Sequence, residues 1–560
     1  MSEQVIIERD VPCELRDGTT LYANVYRPNQ TGYYPILLTR LPYNKNLPNF
    51  SHRYIDPIRM ALAGYVIIIQ DVRGRFSSEG EFKPFQQELN DGYDSVEWAA
   101  SLPYSNGDVG MFGLSYYGFT QMFAAMTQPP SLKAIFPAFT GHNINEEFST
   151  RQGAVELGKL QTWILDSIAP DYLKRKQSTD AFKQTEQELV HDLDHILNWH
   201  QFAPYSEWPP IMKHPELQQL YTDYMNHDLI DETENKIDIR HVHVPGFHMA
   251  GWYDCFLNAT INNYTETVKN NSDQKLIIGP WGHGVFTPYF GERYFGLKAS
   301  GDNIAGVDDV TSLHLKWFDY WLKGKSSDAF DDNAPIHLFT MGRNEWRKEY
   351  EWPLARTQYQ PLYLNADQTL AFEQPKESEG YSAYTYDPNH PVPTKGGPSL
   401  LIHGINTGPL DQREIEQRDD VLIYTTQPLD KPIEITGPIK AYIYASTDAD
   451  DTDFTVKLTD VLPDGTSINI TEGIVRAKHQ YPDLKPGDVT LFEIDLWATS
   501  IEMLEGHQIR IQISSSNFPM YDVNPNTGES LKNTTETIKA QQTIFHSETS
   551  PSYVLLPIIE

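Results

Sequence analysis

The spacing of apolar residues changes along the chain and predicts different elements in different regions. Near the N-terminus, residues 13–16 and 19–26 flank an Asp17-Gly18 turn and predict an antiparallel hairpin. Continuous apolar runs follow at 34–39 and 65–69, then a helical pattern at 88–100. Unbroken apolar runs are typical of strands that are covered on both faces. Strands that alternate with helices predict an α/β sheet for residues 1–140.

Further along the chain, the pattern becomes first helical and then mostly β. Residues 141–240 repeat apolar positions at helical spacing, as in Leu157, Leu160, Trp163 and Ile164, and predict an all-helical insertion. Strand patterns resume at 242–251 and 275–279. Beyond residue 350, segments 433–436, 439–444, 454–459 and 508–514 alternate apolar and polar residues between turns. Strands at this spacing favour a sandwich of the jelly-roll kind.

Ser115 follows an apolar strand that reaches a glycine two residues before it, and a helix is predicted at 119–126. This arrangement resembles a nucleophile elbow, although its spacing is G-x-S-x-x-G instead of G-x-S-x-G. An activated serine needs a base and a group that orients the base, and the usual chain order in such sheets is serine, acid, histidine. Asp254 and His283 each follow a strand exit and satisfy that order. Alone, Asp254 would more simply be a turn former, but together the three predict a catalytic triad.

Two donors for an oxyanion hole are expected near this serine. One is the backbone N–H of Tyr116, directly after the nucleophile. The other normally comes from the loop after the third strand, here residues 40–45, where Pro42 has no N–H. The hydroxyl of Tyr43 could serve instead, with an aromatic packing role as the alternative.

Composition and charge limit the partners that the chain could bind. The formal net charge of −32 repels phosphate backbones, so nucleic acid and anionic membranes are poor partners. The two cysteines, Cys13 and Cys255, form neither a disulfide framework nor a thiolate zinc site. We see no signal peptide and no apolar run that could span a bilayer, and we expect a cytoplasmic protein. We expect no metal and no cofactor, and homo-oligomerisation stays open.

Short motifs across nearly the whole chain resemble those of the cocaine esterase and non-proteolytic hydrolase family, relatives of X-prolyl dipeptidyl peptidases and α-amino-acid ester hydrolases. The matching runs are 41–43, 70–74, 78–82, 110–118, 251–254, 279–283, 452–455, 463–465, 514–519 and 526–528. The resemblance implies the triad Ser115, Asp254 and His283 and the oxyanion donors Tyr43 and Tyr116. It also implies an α/β-hydrolase domain (1–140 and 241–350), a helical cap (141–240) and a jelly-roll domain (351–560).

The resemblance also bears on the acyl group. In the α-amino-acid ester hydrolases, two carboxylates follow the catalytic aspartate and hold the substrate ammonium, whereas Cys255, Phe256 and Leu257 follow Asp254 here. An apolar surface cannot compensate a buried cation, so an α-amino acyl group is disfavoured. The resemblance implies an apolar or aromatic acyl pocket instead. Its expected residues are Phe256, Trp163, Phe85, Leu401 and Ile402.

These observations predict a serine hydrolase that cleaves esters or activated amides of small acyl substrates through an acyl-enzyme. One alternative is a dipeptidyl peptidase that releases X-Pro from peptide N-termini, which would need a pocket carboxylate such as Glu146 or Glu147. The other is a glycan- or partner-binding protein that uses the jelly roll.

Overall fold

The computed structural model describes residues 4–48, 54–226, 238–304, 308–326, 334–400 and 407–560. A ten-stranded sheet dominates the first 350 residues. In chain order the strands of this region are β1 Val5–Glu14, β2 Thr20–Pro28, β3 Tyr34–Leu41, β4 Val66–Asp71, β5 Ser105–Leu114, β6 Leu132–Ala138, β7 Thr150–Arg151, β8 Ala154–Val155, β9 Gly246–Gly251, β10 Gln274–Gly279, β11 Tyr289–Phe290, β12 Arg293–Tyr294, β13 Ile336–Thr340 and β14 Glu345–Glu349.

The sheet order is β1-β2-β4-β3-β5-β6-β9-β10-β13-β14. Pairing is parallel from β4 to β13 and antiparallel at both edges, where β1, β2 and β14 lie. The predicted α/β architecture and the N-terminal hairpin are therefore confirmed. Because neighbouring strands are parallel, the loops after β3, β5, β9 and β10 all leave the sheet at the same edge.

Helices cover both faces of this sheet. Ile68 of β4 packs into a core with the helix Tyr116–Met126, whereas its neighbours Ile67 and Ile69 pack into a core with the helix Val310–Lys323. Successive strand residues point to opposite faces, so a strand covered on both sides needs apolar residues at every position. The other helices around the sheet are Pro57–Leu62, Glu88–Ala100 and Leu257–Thr267, with a 3₁₀ turn at Leu297–Ala299.

The region between β6 and β9 is mainly helical, but the prediction that it is all helical is wrong in one place. Residues 150–155 form the small hairpin β7–β8, with Gln152 (φ 40°) and Gly153 (φ 88°) at its turn. The strand predicted from residue 242 begins only at Gly246, after a 3₁₀ turn at Ile239–His241. The helices are Leu157–Trp163, Ala169–Lys176, Thr179–Asp194, Ile196–His200, Pro209–Met212 and Pro215–Met225, with π-helical segments at Asn145–Ser149 and Ile164–Ile168 and a 3₁₀ turn at Tyr205–Glu207.

The remainder of the chain forms two facing β-sheets. Its strands are β15 Gln358–Leu364, β16 Leu370–Ala371, β17 Tyr381–Tyr386, β18 Leu422–Thr425, β19 Ile433–Thr447, β20 Asp453–Val461, β21 Ser467–Arg476, β22 Thr490–Met503, β23 Gln508–Ser514, β24 Ala540–Phe545 and β25 Tyr553–Ile559, with a helix at Ala477–Gln480 and a 3₁₀ turn at Ile415–Gln417. One sheet has the order β16-β15-β25-β19-β24-β17, with β22 paired to β19, and the other has the order β18-β23-β20-β21.

The mostly β character of this region is confirmed, with one difference. The strands predicted at 433–436 and 439–444 are a single strand, β19, whose register against β22 shifts between Pro438 and Lys440. Gly437 and Pro438 interrupt the alternating pattern of the sequence, and a β-bulge lets the strand continue through them. The jelly-roll connectivity and the four domain boundaries stay predictions. Across the described residues, no helix combines the length and apolar character needed to cross a membrane.

Candidate active site

Ser115 lies at the sharp turn between β5 and the helix Tyr116–Met126, with φ 60° and ψ −129°. Its N–H donates to the carbonyl of Ala138, and its carbonyl accepts from the Thr140 hydroxyl at 2.9 Å. A Cβ at Gly113 would lie 2.4 Å from the Tyr117 ring, and one at Gly118 would lie 2.5 Å from Thr140. Both glycines of the displaced motif are therefore required by close packing around the turn. The helix begins at Tyr116, three residues earlier than predicted.

Asp254 and His283 are brought together by the adjacent parallel strands β9 and β10. Gly251 pairs with Gly279 at the ends of these strands, and the two side chains follow a few residues later. His283 Nδ1 lies 2.7 Å from Asp254 Oδ1, and the aspartate is fully buried while the imidazole is 11% exposed. Asp254 Oδ2 also accepts the N–H of Phe256 at 3.1 Å. A carboxylate oxygen that accepts from the imidazole fixes the ring proton on Nδ1, so the lone pair of the ring lies on Nε2.

The loop that carries His283 approaches the serine turn. A Cβ on Gly284 would lie 3.6 Å from the side chain of Leu114, the residue before Ser115. The ring of Phe139, which follows β6, lies 6.2 Å from that of His283. The ends of β5, β6, β9 and β10 thus contribute to one site.

Tyr43 enters the same site from the end of β3. Its hydroxyl accepts a hydrogen bond from Trp163 Nε1 at 3.0 Å, and the Ser115 side chain is a second hydrogen-bonding neighbour. Burial raises the pKa of Tyr43 to about 12, so the hydroxyl keeps its proton at neutral pH. The loop is fixed by Lys45, which is fully buried and pairs with Asp71 at 2.8 Å.

Tyr116 presents its backbone and its side chain to different surroundings. Its N–H is at the first position of the helix, where the helix supplies no acceptor. Its hydroxyl donates to Glu88 Oε1 at 2.9 Å and accepts from the N–H of Phe85 at 3.0 Å. The buried side chain therefore anchors the residue whose N–H would face an oxyanion.

Three of the five expected pocket residues lie together. Phe85 stacks on Tyr116 with ring centroids 4.4 Å apart, and its ring lies 6.2 Å from that of Trp163. Phe256 lies 5.5 Å from the His283 ring. Leu401 and Ile402 lie outside the described residues.

Phe148 and Tyr224 also belong to this aromatic cluster, although neither was expected from the sequence. Phe148 contacts Trp163 at 5.5 Å and stacks parallel to Phe256 at 6.2 Å. Tyr224 stacks on Trp163 at 5.6 Å. Their helical spacing looks like ordinary core, so no sequence signal marked them.

A buried ionic group beside this cluster was also missed. Lys159, 3% exposed, pairs with Glu156, and its Nζ lies 5.0 Å from the Phe256 ring. Arg151 Nε lies 2.7 Å from Glu156 Oε1. Glu147 accepts the N–H groups of His142 and Asn143, both at 2.8 Å. Glu156 and Glu147 therefore already have ionic or hydrogen-bonding partners.

In the part of the chain that the structure describes, one group of side chains is close enough to share a metal ion: Asp254, Cys255 and His283. Burial raises the pKa of the Cys255 thiol well above its usual value. Because a metal needs the thiolate and the Nδ1 position is engaged by Asp254, the group fits an aspartate–histidine pair better than a metal site.

Comparison with known proteins agrees with the fold and the motifs. Residues 17–285 match the family model of the X-Pro dipeptidyl-peptidase (S15 family), and residues 328–555 match the X-Pro dipeptidyl-peptidase C-terminal non-catalytic domain. The cocaine esterase of Rhodococcus sp. (strain MB1 Bresler) is 35% identical over 580 residues, covering 99% of both chains.

Solved structures show the same fold. An aminopeptidase from a marine sediment Thaumarchaeota archaeon superposes with a TM-score of 0.77 at 24% identity, covering 100% of this chain and 97% of its own. An α-amino acid ester hydrolase superposes with a TM-score of 0.76 at 23% identity, with the same coverage. The fold and the match to the S15 family model define a hydrolase with an α/β-hydrolase-type domain and a C-terminal, mostly β domain. The chain belongs to the cocaine esterase and non-proteolytic hydrolase family, related to the X-prolyl dipeptidyl peptidases.

Proposed function

We propose that this protein hydrolyses esters of small carboxylic acids, with an apolar or aromatic acyl group, through a serine acyl-enzyme. The observation that carries the proposal is the 2.7 Å hydrogen bond between Asp254 and His283 at the sheet edge where Ser115 occupies a strained turn. Strained serines, imidazole bases and orienting carboxylates at one edge form the usual apparatus of acyl transfer.

In this mechanism His283 takes the proton of Ser115 as the serine oxygen attacks the ester carbonyl. Asp254 holds the imidazole in the correct tautomer and stabilises its cation. The N–H of Tyr116 and the hydroxyl of Tyr43 bind the negative oxygen of the tetrahedral intermediate. His283 then protonates the leaving alcohol and activates the water that releases the acid.

The aromatic cluster supports the choice of acyl group. Phe256 lies 5.5 Å from the His283 imidazole. Phe148 connects Phe256 to the stacked rings of Trp163 and Phe85. Such surfaces favour apolar and aromatic groups, which gain area and ring contacts.

Release of X-Pro dipeptides is a second candidate, because the matching family model describes X-Pro dipeptidyl-peptidases. That reaction needs a carboxylate for the free amine. Glu147 is engaged by two backbone N–H groups, and Glu156 pairs with Arg151 and Lys159. Glu156 is thus neutralised by two cations, Glu147 is buried and held by backbone donors, and Glu146 is exposed, so the ester reaction is favoured.

The test replaces Ser115 by alanine and measures hydrolysis of p-nitrophenyl acetate, p-nitrophenyl benzoate and Ala-Pro-p-nitroanilide. We expect ester turnover in the wild-type protein and a loss of at least roughly 10³-fold in Ser115→Ala, because the nucleophile is removed. Ser272→Ala is the matched control, since Ser272 is exposed in the loop before β10. Equal ester turnover in Ser115→Ala would refute the mechanism, and faster turnover of the anilide would favour the peptidase.

A further inference from the structure

Trp163 makes a directed polar contact in addition to its ring stacking. Its indole N–H donates to the Tyr43 hydroxyl oxygen at 3.0 Å, and the tryptophan is 9% exposed. An indole N–H can only donate, whereas a phenol both donates one proton and accepts. In this pair Tyr43 must therefore be the acceptor, and its own proton is left for another partner.

The other partner of the Tyr43 oxygen lies on the side of the nucleophile. The Ser115 side chain is the second hydrogen-bonding neighbour of that hydroxyl. Because the Trp163 N–H donates to the oxygen, the hydroxyl proton must point away from the indole, and Ser115 is a hydrogen-bonding neighbour of the same oxygen. This is the region in which a substrate oxyanion would form during attack by the serine.

A single buried cation joins the segments that carry the two residues. Arg75 is fully buried and donates from Nε to the carbonyl of Pro42, the residue before Tyr43, at 2.9 Å. Its other nitrogens donate to the carbonyls of Ser167 at 2.7 Å and Ile168 at 3.0 Å, in the π-helical segment that follows Trp163. Arg75 thus ties the backbone next to Tyr43 to the backbone that follows Trp163. This link keeps the two side chains at a fixed separation, which contact with an acyl group alone would not require.

We propose that Trp163 is a positioning residue that orients the hydroxyl proton of Tyr43, so that the helical segment between β6 and β9 completes the oxyanion hole. The inference rests on the proposed function and deepens it, since it assigns Trp163 a role in the chemical step in addition to contact with the acyl group.

A double-mutant cycle tests this coupling. Tyr43→Phe, Trp163→Phe and the double variant are compared on p-nitrophenyl acetate, whose acyl group is too small to depend on ring contacts. We expect Tyr43→Phe to lose roughly 10²–10³ in kcat, the effect of one oxyanion donor. Trp163→Phe should lose roughly three- to tenfold in kcat with KM unchanged, the size of one hydrogen bond. In the Tyr43→Phe background, Trp163→Phe should cost less than about twofold, because the group that it orients is gone.

Two further variants separate orientation from packing. Replacing Trp163 by 3-benzothienylalanine keeps the bicyclic ring and removes only the N–H, so it should reproduce the kcat loss even if Trp163→Phe folds poorly. Trp199→Phe is the matched control: this tryptophan lies in the helix Ile196–His200, outside the residues assigned to the site, and its buried indole N–H has no hydrogen-bond partner among the described residues, so kcat should stay within twofold.

Additive losses in the cycle, or full kcat in the benzothienylalanine variant, would overturn the inference. If that happened while Ser115→Ala remained inactive, the proposed hydrolase mechanism would stand and only the role of Trp163 would fall. A wild-type protein that hydrolyses no ester, or an active Ser115→Ala, would instead refute the proposed function itself.

Discussion

The backbone of Ser115 is held in a conformation that residues other than glycine rarely adopt. Its φ of 60° and ψ of −129° cost on the order of 1–3 kcal/mol, which the surroundings must offset. The offset is visible in the bonds to the peptide: the N–H donates to Ala138, and the carbonyl accepts from the N–H groups of Gly118 and Phe119. This backbone conformation places Ser115 outside the regular helix, at the turn that leads into the site.

At the same scale, Asp254→Asn should reduce kcat for p-nitrophenyl acetate by roughly 10²–10⁴ with little effect on folding. The amide can donate to His283 Nδ1, which moves the ring proton to Nε2 and removes the base. Asp273→Asn is the control, because Asp273 is exposed in the loop before β10. Loss of less than tenfold in kcat would contradict the assigned role of the carboxylate.

At the level of elements, Arg476 joins the hairpin β7–β8 to the β domain. Its guanidinium bonds to Asp453 and Asp522, with the shortest contacts at 2.9 Å, and its N–H donates to the carbonyl of Gln152. Asp522 also accepts the N–H of Val155 in β8. One cation that is 15% exposed, with two buried carboxylates, therefore fixes an element of the helical region on the β sheets.

Arg476→Met should destabilise the protein by about 3–5 kcal/mol at pH 8, because two carboxylates lose their counter-charge. Burial already raises the pKa of Asp453 to about 6, and removing the arginine raises it further. A carboxyl group with a raised pKa in the folded state favours folding at low pH and loses that contribution as pH rises. Urea unfolding should therefore show a smaller deficit at pH 5 than at pH 8.

Lys440→Met is the control for this element-scale prediction. Lys440 forms an ion pair with Glu493 in which the two side chains are 46% and 42% exposed. Exposed pairs contribute about 0–1 kcal/mol, so unfolding should hardly change. A deficit in Arg476→Met that grows toward low pH would contradict the assigned origin of the effect.

At the scale of the whole molecule, the net charge of −32 produces a long-range field around the protein. We expect kcat/KM for a cationic ester such as acetylcholine to fall by roughly two- to tenfold as ionic strength rises from about 10 to about 500 mM, because salt shortens the screening length. Neutral p-nitrophenyl acetate serves as the control and should change by less than about 1.5-fold. Equal salt dependence for both esters would exclude electrostatic steering.

The two large regions of the molecule also join directly. Met341, directly after β13, bonds through its N–H to the carbonyl of Ser500 at 2.9 Å, and its carbonyl accepts the N–H of Glu502 at 2.8 Å. The hydroxyl of Tyr253, directly before Asp254, donates a hydrogen bond to the carbonyl of Asn469 in β21. The loop of the acid residue is thus held partly by the β domain.

The sequence by itself determined the elements whose periods are strong and the residues that follow strand ends. The runs at 34–39 and 65–69 appear as buried strands, because a strand covered on both faces must be apolar at every position. Ser115, Asp254 and Tyr43 could be selected because each follows such a strand, and parallel strand ends meet at one edge.

Only the tertiary structure decided which residues from the helical region reach that edge. The π-helical segments, the hairpin β7–β8 and the contacts of Phe148, Tyr224 and Lys159 arise from packing between distant parts of the chain. The hydrogen bond from Trp163 to Tyr43 joins residues 120 positions apart. Local sequence encodes backbone preference and burial, whereas the direction of a side chain across such a distance depends on the assembled fold.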